Sequence, residues 1–279
     1  MNYYYLIAGL PDIEIEDNKL SFSVVGFREE VRPQLSTGDA LILDLFYTKY
    51  DNQNLLRYLK DKEVKFDERG NITKIQLEDF FRLLNEENKP KNKSIPSYFE
   101  TFITEFRESP LSPTPIEPDS YLWENRLTEL YYKWAMKNSN ALIRHWFEFN
   151  MNLNNMLAAY ASRKYEMNIE VLGVNEVADA IRTSKLRDFG LSGIFDDFET
   201  FQRLSDEDDL FEREKKIDLL KWQWLDEQTF FNYFSIEKVF AYLIKLEIIE
   251  RWITLDPIEG GKLFRKLINS LKDDVVKKL

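Results

Sequence analysis

The chain has 279 residues, of which 44% are hydrophobic and 15% aromatic, and it carries a formal net charge of −11. This composition excludes disorder throughout the chain, and the negative charge disfavours binding to nucleic acid or anionic lipid, since both need clustered Lys and Arg. There is no cysteine, so disulfides, thiolate metal sites and cysteine nucleophiles are excluded.

Glycine and proline are scarce, with nine of each, which favours long helices over a turn-rich all-β fold. We therefore predict a mainly α protein. The first residues lack the basic and apolar regions of a signal peptide, and no run of about 18 apolar residues is present. The expected location is the cytoplasm, with no direct insertion into the bilayer.

The N-terminal 32 residues leave two interpretations open. Residues 3–8 are apolar and end at a Gly-Leu-Pro-Asp turn, and residues 20–24 alternate between apolar and polar. The alternation is typical of a short strand in an N-terminal hairpin, but it also fits the edge of a helix.

Helical patterns then follow one another up to residue 84. Thr37 or Asp39 is the predicted cap of a helix over residues 40–47. The polar run 51–54 is expected to precede a second helical stretch over residues 55–60, and a third helix is predicted over residues 77–84.

Six of the nine prolines lie between Pro90 and Pro118. Because each proline removes a backbone donor and restricts its predecessor, residues 109–118, which hold four of the six, predict an extended connection. We expect an N-terminal helical region over residues 1–108, a Pro-rich linker over 109–118 and a C-terminal helical region over 119–279.

The C-terminal region shows the clearest periodicity. Apolar residues at helical spacing begin at Trp123, the helical pattern continues to residue 164, and a short helix is predicted over 175–183. The acidic run 206–209 favours a solvated helix start, with a docking site for a basic partner as the alternative. A strong apolar stripe runs from Val239 to Ile253 with Ser235 as its cap, and a last helix is predicted from about residue 261.

The sequence predicts no catalytic residue, no cofactor and no metal. His145 is the only histidine, no nucleophile-elbow motif is present, and one histidine cannot complete a di-iron bundle site. Phosphate-binding glycine loops of the P-loop or Rossmann type are missing. The 49 carboxylates leave a carboxylate-based hydrolase or lyase as the third candidate function.

Two further features concern structure. Glu247 and Arg251 lie four residues apart, which predicts either an ordinary surface pair, contributing about 0.2–0.5 kcal/mol, or a contact between helices. Residues 50–56 can also be superposed on residues 151–157, which places Asn54 on Asn155. Internal sequence similarity of this kind is typical of a protein built from repeated helical modules.

Residues 234–251 resemble the late helix of the C (or d) subunit that caps the rotor in V-type and A-type ATPases. That helix carries a Tyr-Leu pair, a Lys-Glu pair, a second acid and an Arg, which Tyr242, Lys245, Glu247, Glu250 and Arg251 approximate, although Leu246 separates the Lys from the Glu. The asparagine-containing helix starts resemble the repeated segment of the same family. Residues 3–11 and 222–227 resemble a bacterial family of uncharacterised proteins encoded beside V-type ATPase genes.

The resemblance implies an all-helical, funnel-like protein of three similar modules. In that family the protein sits on the membrane rotor ring, receives the central shaft and transmits torque for proton or sodium transport without catalysis. The expected partners are therefore ring and shaft subunits, and the expected location is peripheral on the membrane. The chain is short for that family, so we expect one abbreviated module near residues 90–118. A cytoplasmic protein-binding scaffold unrelated to a rotor is the alternative.

Overall fold

The computed structural model describes residues 2–86, 95–108, 120–166, 170–192 and 198–255. Within these ranges there are eleven α-helices, one short 3-10 helix and no β-strand, which confirms the mainly α prediction. The Pro-rich linker 109–118 and the predicted last helix from residue 261 lie outside the described residues.

The helices follow the chain in a simple order. Their bounds are α1 Tyr4–Ala8, α2 Val24–Val31, α3 Thr37–Lys60, α4 Lys74–Asn85, α5 Tyr98–Glu108, α6 Ser120–Ala135, α7 Ala141–Tyr165, α8 Glu176–Thr183, α9 Phe198–Asp206, α10 Leu210–Thr229 and α11 Ile236–Leu255, with the 3-10 helix Arg32–Gln34 after α2.

The backbone contacts divide the chain into two compact units. The first combines residues 1–41 with 218–279, so both ends of the chain belong to it, and the second contains residues 42–217.

The N-terminal hairpin, one of the two interpretations left open, is wrong. Among the described residues before position 32 the chain forms only α1 and α2. Ser23 belongs to the alternating stretch, but its hydroxyl accepts a hydrogen bond from the Gly26 N–H and thereby caps α2. The alternation therefore marks the approach to a helix.

Helix α3 is longer than predicted, because the two expected stretches form one continuous helix of 24 residues. The predicted cap, Thr37 or Asp39, is wrong: Ser36 caps the helix, since its hydroxyl accepts from the Asp39 N–H. The polar run 51–54 lies inside this helix. Asp51 and Asn54 bond to a loop farther along the chain, so they do not compete with the helical backbone.

The core of the second unit is rich in aromatic residues. The side chains of Tyr47, Phe99, Phe102 and Phe201 are almost completely buried. The Tyr131 hydroxyl donates to the Leu45 carbonyl over 2.9 Å and links α6 to α3. Burial on this scale contributes about 1.5–3 kcal/mol for each large apolar side chain.

The core of the first unit surrounds α11. Val239, Leu246 and Ile249 of the predicted stripe are fully buried, and so are Phe240 and Leu243 on other faces of the helix. The helix is therefore covered on most sides, which explains its high apolar content.

Candidate functional site

Two buried asparagines in the second unit form the same unusual contact. The Asn54 side-chain amide donates to the Asp67 carbonyl over 2.9 Å, and its oxygen accepts from the Asp67 N–H over 2.8 Å. Asn155 does the same with the carbonyl and N–H of Leu172, at 2.8 Å each. We call each pair of bonds an amide clamp, because one side chain satisfies both polar groups of a loop residue.

One helical turn before each clamp lies a second buried polar residue. Asp51 accepts hydrogen bonds from the Ile72 N–H and the Asn71 side chain, each over 2.9 Å. Asn152 accepts from the Asn175 side chain over 2.8 Å. Asp51 thereby holds Asn71 and Ile72, which lie just before the start of the next helix, α4. Asn152 holds Asn175, which lies at the start of the next helix, α8.

Those next helices are capped in the same way. Thr73 accepts a hydrogen bond from the Gln76 N–H at the start of α4, in a full capping box. Asn175 accepts from the Ala178 N–H at the start of α8. A long helix, a clamped loop and a capped short helix therefore recur, and we define the first module as α3–α5 and the second module as α7–α9.

The superposition of residues 50–56 on 151–157 paired Asn54 with Asn155 but missed a later part of the repeat. The tetrapeptide Phe-Glu-Thr-Phe occurs at 99–102 in α5 and again at 198–201 in α9. Its phenylalanines are buried in both helices: Phe99, Phe102, Phe198 and Phe201. A comparison of the chain with itself at an offset near 100 residues would have revealed it.

A related arrangement occurs in the first unit, where α2 contacts α11. A Glu250 carboxylate oxygen on α11 accepts from the Val24 N–H at the start of α2, over 3.3 Å. Ser23 caps that helix, as Thr73 and Asn175 cap theirs. The first unit thus repeats the long helix and the held, capped short helix, with the short helix supplied by the N-terminal part of the chain.

The three remaining predicted positions all lie on α11. The Tyr242 hydroxyl donates to the Pro11 carbonyl over 3.0 Å, its ring stacks on Phe27, and burial raises the pKa of Tyr242 to about 12. Arg251 pairs with the buried Asp218 carboxylate of α10. Glu247 is half-buried.

A depression with a volume of about 490 Å³ lies in the second unit. Its lining includes Arg163 and Arg182, yet both guanidinium groups are bonded to backbone carbonyls. Arg163 donates to the carbonyls of Ser184 and Leu186, and Arg182 donates to that of Val171. The arginines therefore stabilise loops, and no catalytic arrangement follows from them.

Neither a metal site nor a membrane span is found in the described ranges. No cluster of three or more His, Asp or Glu there has a metal-binding arrangement. No described helix combines the length and the apolar character needed to cross a membrane. The only histidine, His145, is exposed on α7.

An aromatic surface is the most conspicuous exposed feature of the first unit. It combines α1 with the turn between α10 and α11, and the Tyr3 N–H donates to the Phe234 carbonyl to join the two. Two of its side chains are almost fully exposed, at 96% for Tyr5 and 86% for Phe231. We call this surface the aromatic patch; its members are Tyr4, Tyr5, Phe230, Phe231, Tyr233 and Phe234.

Comparison with known proteins gives one match. A family model described as a protein of unknown function, DUF2764, matches residues 1–275. No curated protein and no solved structure matches the chain. The match agrees with the expected resemblance to a family without an assigned function, and the link to the rotor-capping subunit of the rotary ATPases stays a prediction.

Proposed function

Because the chain belongs to the DUF2764 family, whose description carries no activity, we propose its function from its architecture: a non-catalytic connector in the central stalk of a V-type rotary ATPase. In this role it would lie between the membrane rotor ring and the central shaft, peripheral on the membrane through its protein contacts. It would transmit torque during proton or sodium transport.

The observation that carries the proposal is the internal repeat. The resemblance to the rotor-capping subunit implies three similar helical modules, and the amide clamps at Asn54 and Asn155 occur at corresponding places in two modules. The Glu250 contact to Val24 supplies a third, modified example. Stacked repeats form extended binding surfaces, which suits a part that lies between two partners.

The use of the recurring polar residues also favours a connector over an enzyme. Asp51, Asn54, Asn152 and Asn155 are buried, and each bonds to a neighbouring loop. Catalytic polar groups converge on a pocket that a substrate can enter. The recurring residues instead hold a loop against the long helix within each module.

The test is reconstitution from purified parts. We expect the full chain to bind a detergent-solubilised rotor ring, to bind the central shaft subunits, and to join both in one complex of fixed stoichiometry. The catalytic head without its shaft serves as the control and should not bind. Size-exclusion chromatography with mass spectrometry of the peaks gives the composition.

A cellular experiment gives the complementary readout. Deleting the gene should abolish ATP-driven ion transport, while ATP hydrolysis by the head persists without coupling. Unchanged transport, together with a failure to bind ring and shaft, would contradict the connector role. Binding to a protein outside the ATPase would then favour the scaffold alternative, which the aromatic patch also suits.

A further inference from the structure

The rings of the aromatic patch contact one another and form a connected surface. The ring of Tyr4 on α1 lies against that of Phe234 in the turn, with 4.5 Å between the two centroids. Within the turn, the ring of Phe230 contacts those of Phe231 and Tyr233, with centroids 4.9 Å and 6.4 Å away. A connected apolar surface of this kind on a soluble protein marks a contact site.

The patch protrudes and does not form a groove. The side chain of Tyr5 is 96% exposed and that of Phe231 is 86% exposed. The walls of a groove would cover much of the surface of such large rings, whereas these two project into solvent along most of their length. Protruding aromatic side chains act as anchors when they fill pockets of a partner. The complementary surface is therefore an apolar groove.

The patch itself carries no charge. Residues 2–8, which include α1, and residues 229–236, which form the turn, contain no Asp, Glu, Lys or Arg. The centre of a protein–protein interface is likewise depleted of charged residues and enriched in Tyr and Phe, while its rim is polar. The composition of the patch is thus typical of the centre of a protein contact.

An acidic segment follows the patch directly. Residues 9–18 come after α1 and contain four acidic residues and no basic one. This segment is fixed near the start of α11, because the Tyr242 hydroxyl, two turns into that helix, donates to the Pro11 carbonyl. The carboxylates of Glu14 and Glu16 belong to exposed residues of the segment. They therefore form part of the border of the patch.

The ends of the helices that flank the turn are also acidic. Residues 226–228 and 237–238 contain three acidic residues and one lysine. Lys245 neutralises one of these carboxylates, that of Asp226, through an ion pair. An excess of negative charge remains when this pair is counted, so the uncharged patch has acidic segments on both sides.

This acidic border distinguishes between the possible occupants of the patch. A second copy of the chain would bring the same acidic segments against each other, and anionic lipid or nucleic acid would be repelled. A protein surface that carries Lys and Arg around an apolar groove would be attracted. Complementary charge of this kind guides association and suppresses wrong partners.

We propose that the aromatic patch docks into an apolar groove, bordered by lysine and arginine, on a partner protein. Tyr5 and Phe231 are the anchors that fill the groove, and the acidic segments lie against its basic border. The inference goes beyond the connector role, because its evidence lies in the patch and not in the repeated modules.

The first test identifies the occupant by photo-cross-linking in the cells that make the protein. The full chain carries benzoylphenylalanine in place of Phe231, and mass spectrometry identifies the product formed on irradiation. We expect a cross-link to an apolar segment of another protein, with Lys or Arg nearby. The control carries the same group at Leu255, which is 57% exposed and lies at the far end of α11, roughly 30 Å from its start. It should not give this product.

The anchors are then tested with the captured protein in purified form. Tyr5→Ser with Phe231→Ser should weaken its binding to the full chain about tenfold or more, as measured by titration calorimetry. Leu255→Ser removes an exposed apolar side chain outside the patch and should change the affinity less than about twofold. Because the two anchors are almost fully exposed, their replacement should leave the urea midpoint unchanged.

The acidic border is tested by two matched double variants. Glu14→Gln with Glu16→Gln should weaken the binding several-fold at low salt, and the affinity should then fall less steeply with added salt. Glu29→Gln with Glu30→Gln removes the same charge from exposed positions on α2 and should have a smaller effect.

Four outcomes would overturn the proposal. A cross-link found only between two copies would mean that the chain associates with itself through the patch. A cross-link confined to a single chain would mean that the chain covers its own patch. A cross-link to lipid alone, or none at all, would exclude a protein contact. An affinity for the captured protein that is equal in the wild type and in the Tyr5→Ser, Phe231→Ser variant would mean that the patch is not the docking surface.

Discussion

The amide clamps of the first and second modules make the same two bonds in different surroundings. At Asn155 both bonds are buried, and the clamped residue is the apolar Leu172. At Asn54 both bonds are only partly buried, and the clamped residue is Asp67, which pairs with Arg69. The repeat preserves the backbone contact, while the surroundings decide how much stability that contact contributes and whether pH affects it.

Removing the clamps should have the largest effect. Asn155→Ala leaves a buried N–H and a buried carbonyl of Leu172 without partners, and we expect a loss of about 3 kcal/mol in the free energy of unfolding. Asn54→Ala should cost about 2 kcal/mol, because water can reach the partly buried groups of Asp67. Urea unfolding followed by circular dichroism measures both values.

The control for this pair is Gln53→Ala, whose side chain is exposed on the same helix as Asn54. It should change the stability by less than about 0.5 kcal/mol. If either asparagine variant were as stable as this control, the clamp would not contribute to stability and the comparison between the modules would fail.

The acceptors one turn earlier give the next effect. Asp51 accepts from two donors, and in Asp51→Asn one donor would face an amide nitrogen, which cannot accept a hydrogen bond. We expect a loss of about 2 kcal/mol in unfolding experiments. Asp79→Asn on the exposed face of α4 is the control and should have little effect. If Asp51→Asn were as stable as the wild type, asparagine would serve as well at position 51 as it does at the corresponding position 152.

The glycine of the second loop should have a smaller effect. Gly173 has a φ of +73°, and an added Cβ would lie 2.5 Å from the Met151 sulfur. Gly173→Ala should cost about 1.5 kcal/mol, and about 1 kcal/mol should remain in a Met151→Ala background, because the backbone strain persists after the clash is relieved. Gly38→Ala, where a Cβ meets nothing within 4 Å, is the control. If Gly173→Ala cost no stability in the Met151→Ala background, the left-handed backbone at position 173 would not contribute to the effect.

The two modules also show what a single sequence can and cannot predict. The helical character and the stripe of α11 follow from local periodicity, and the pairing of Asn54 with Asn155 follows from the repeated residues. The clamp partners do not, because Asp67 and Leu172 lie 13 and 17 residues away in loops of different length. The polar run at 51–54 predicts a break between two helices, although it lies inside α3, because the sequence does not show that Asp51 and Asn54 bond to a distant loop.

The smallest effect is a dependence on pH that only the first module should show. The hydrogen bonds from Arg69, opposed in part by burial, lower the pKa of Asp67 below its usual value. A lowered pKa in the folded state means that ionised Asp67 stabilises the fold above about pH 4, and that this stabilisation is lost as the pH falls through the folded pKa. Because the pair is partly exposed to solvent, we expect less than about 1 kcal/mol.

The measurement compares the wild type with Asp67→Asn by urea unfolding between pH 7 and pH 3. The difference in stability should be present at pH 7 and should shrink as the pH falls below about 4, because protonated Asp67 resembles asparagine in charge. Leu172→Asn at the corresponding place in the second module introduces no titrating group, so its effect should stay constant over this range. A difference for Asp67→Asn that is equally large at pH 3 would show that the carboxylate charge does not stabilise the first clamp, and that the two modules differ in burial alone.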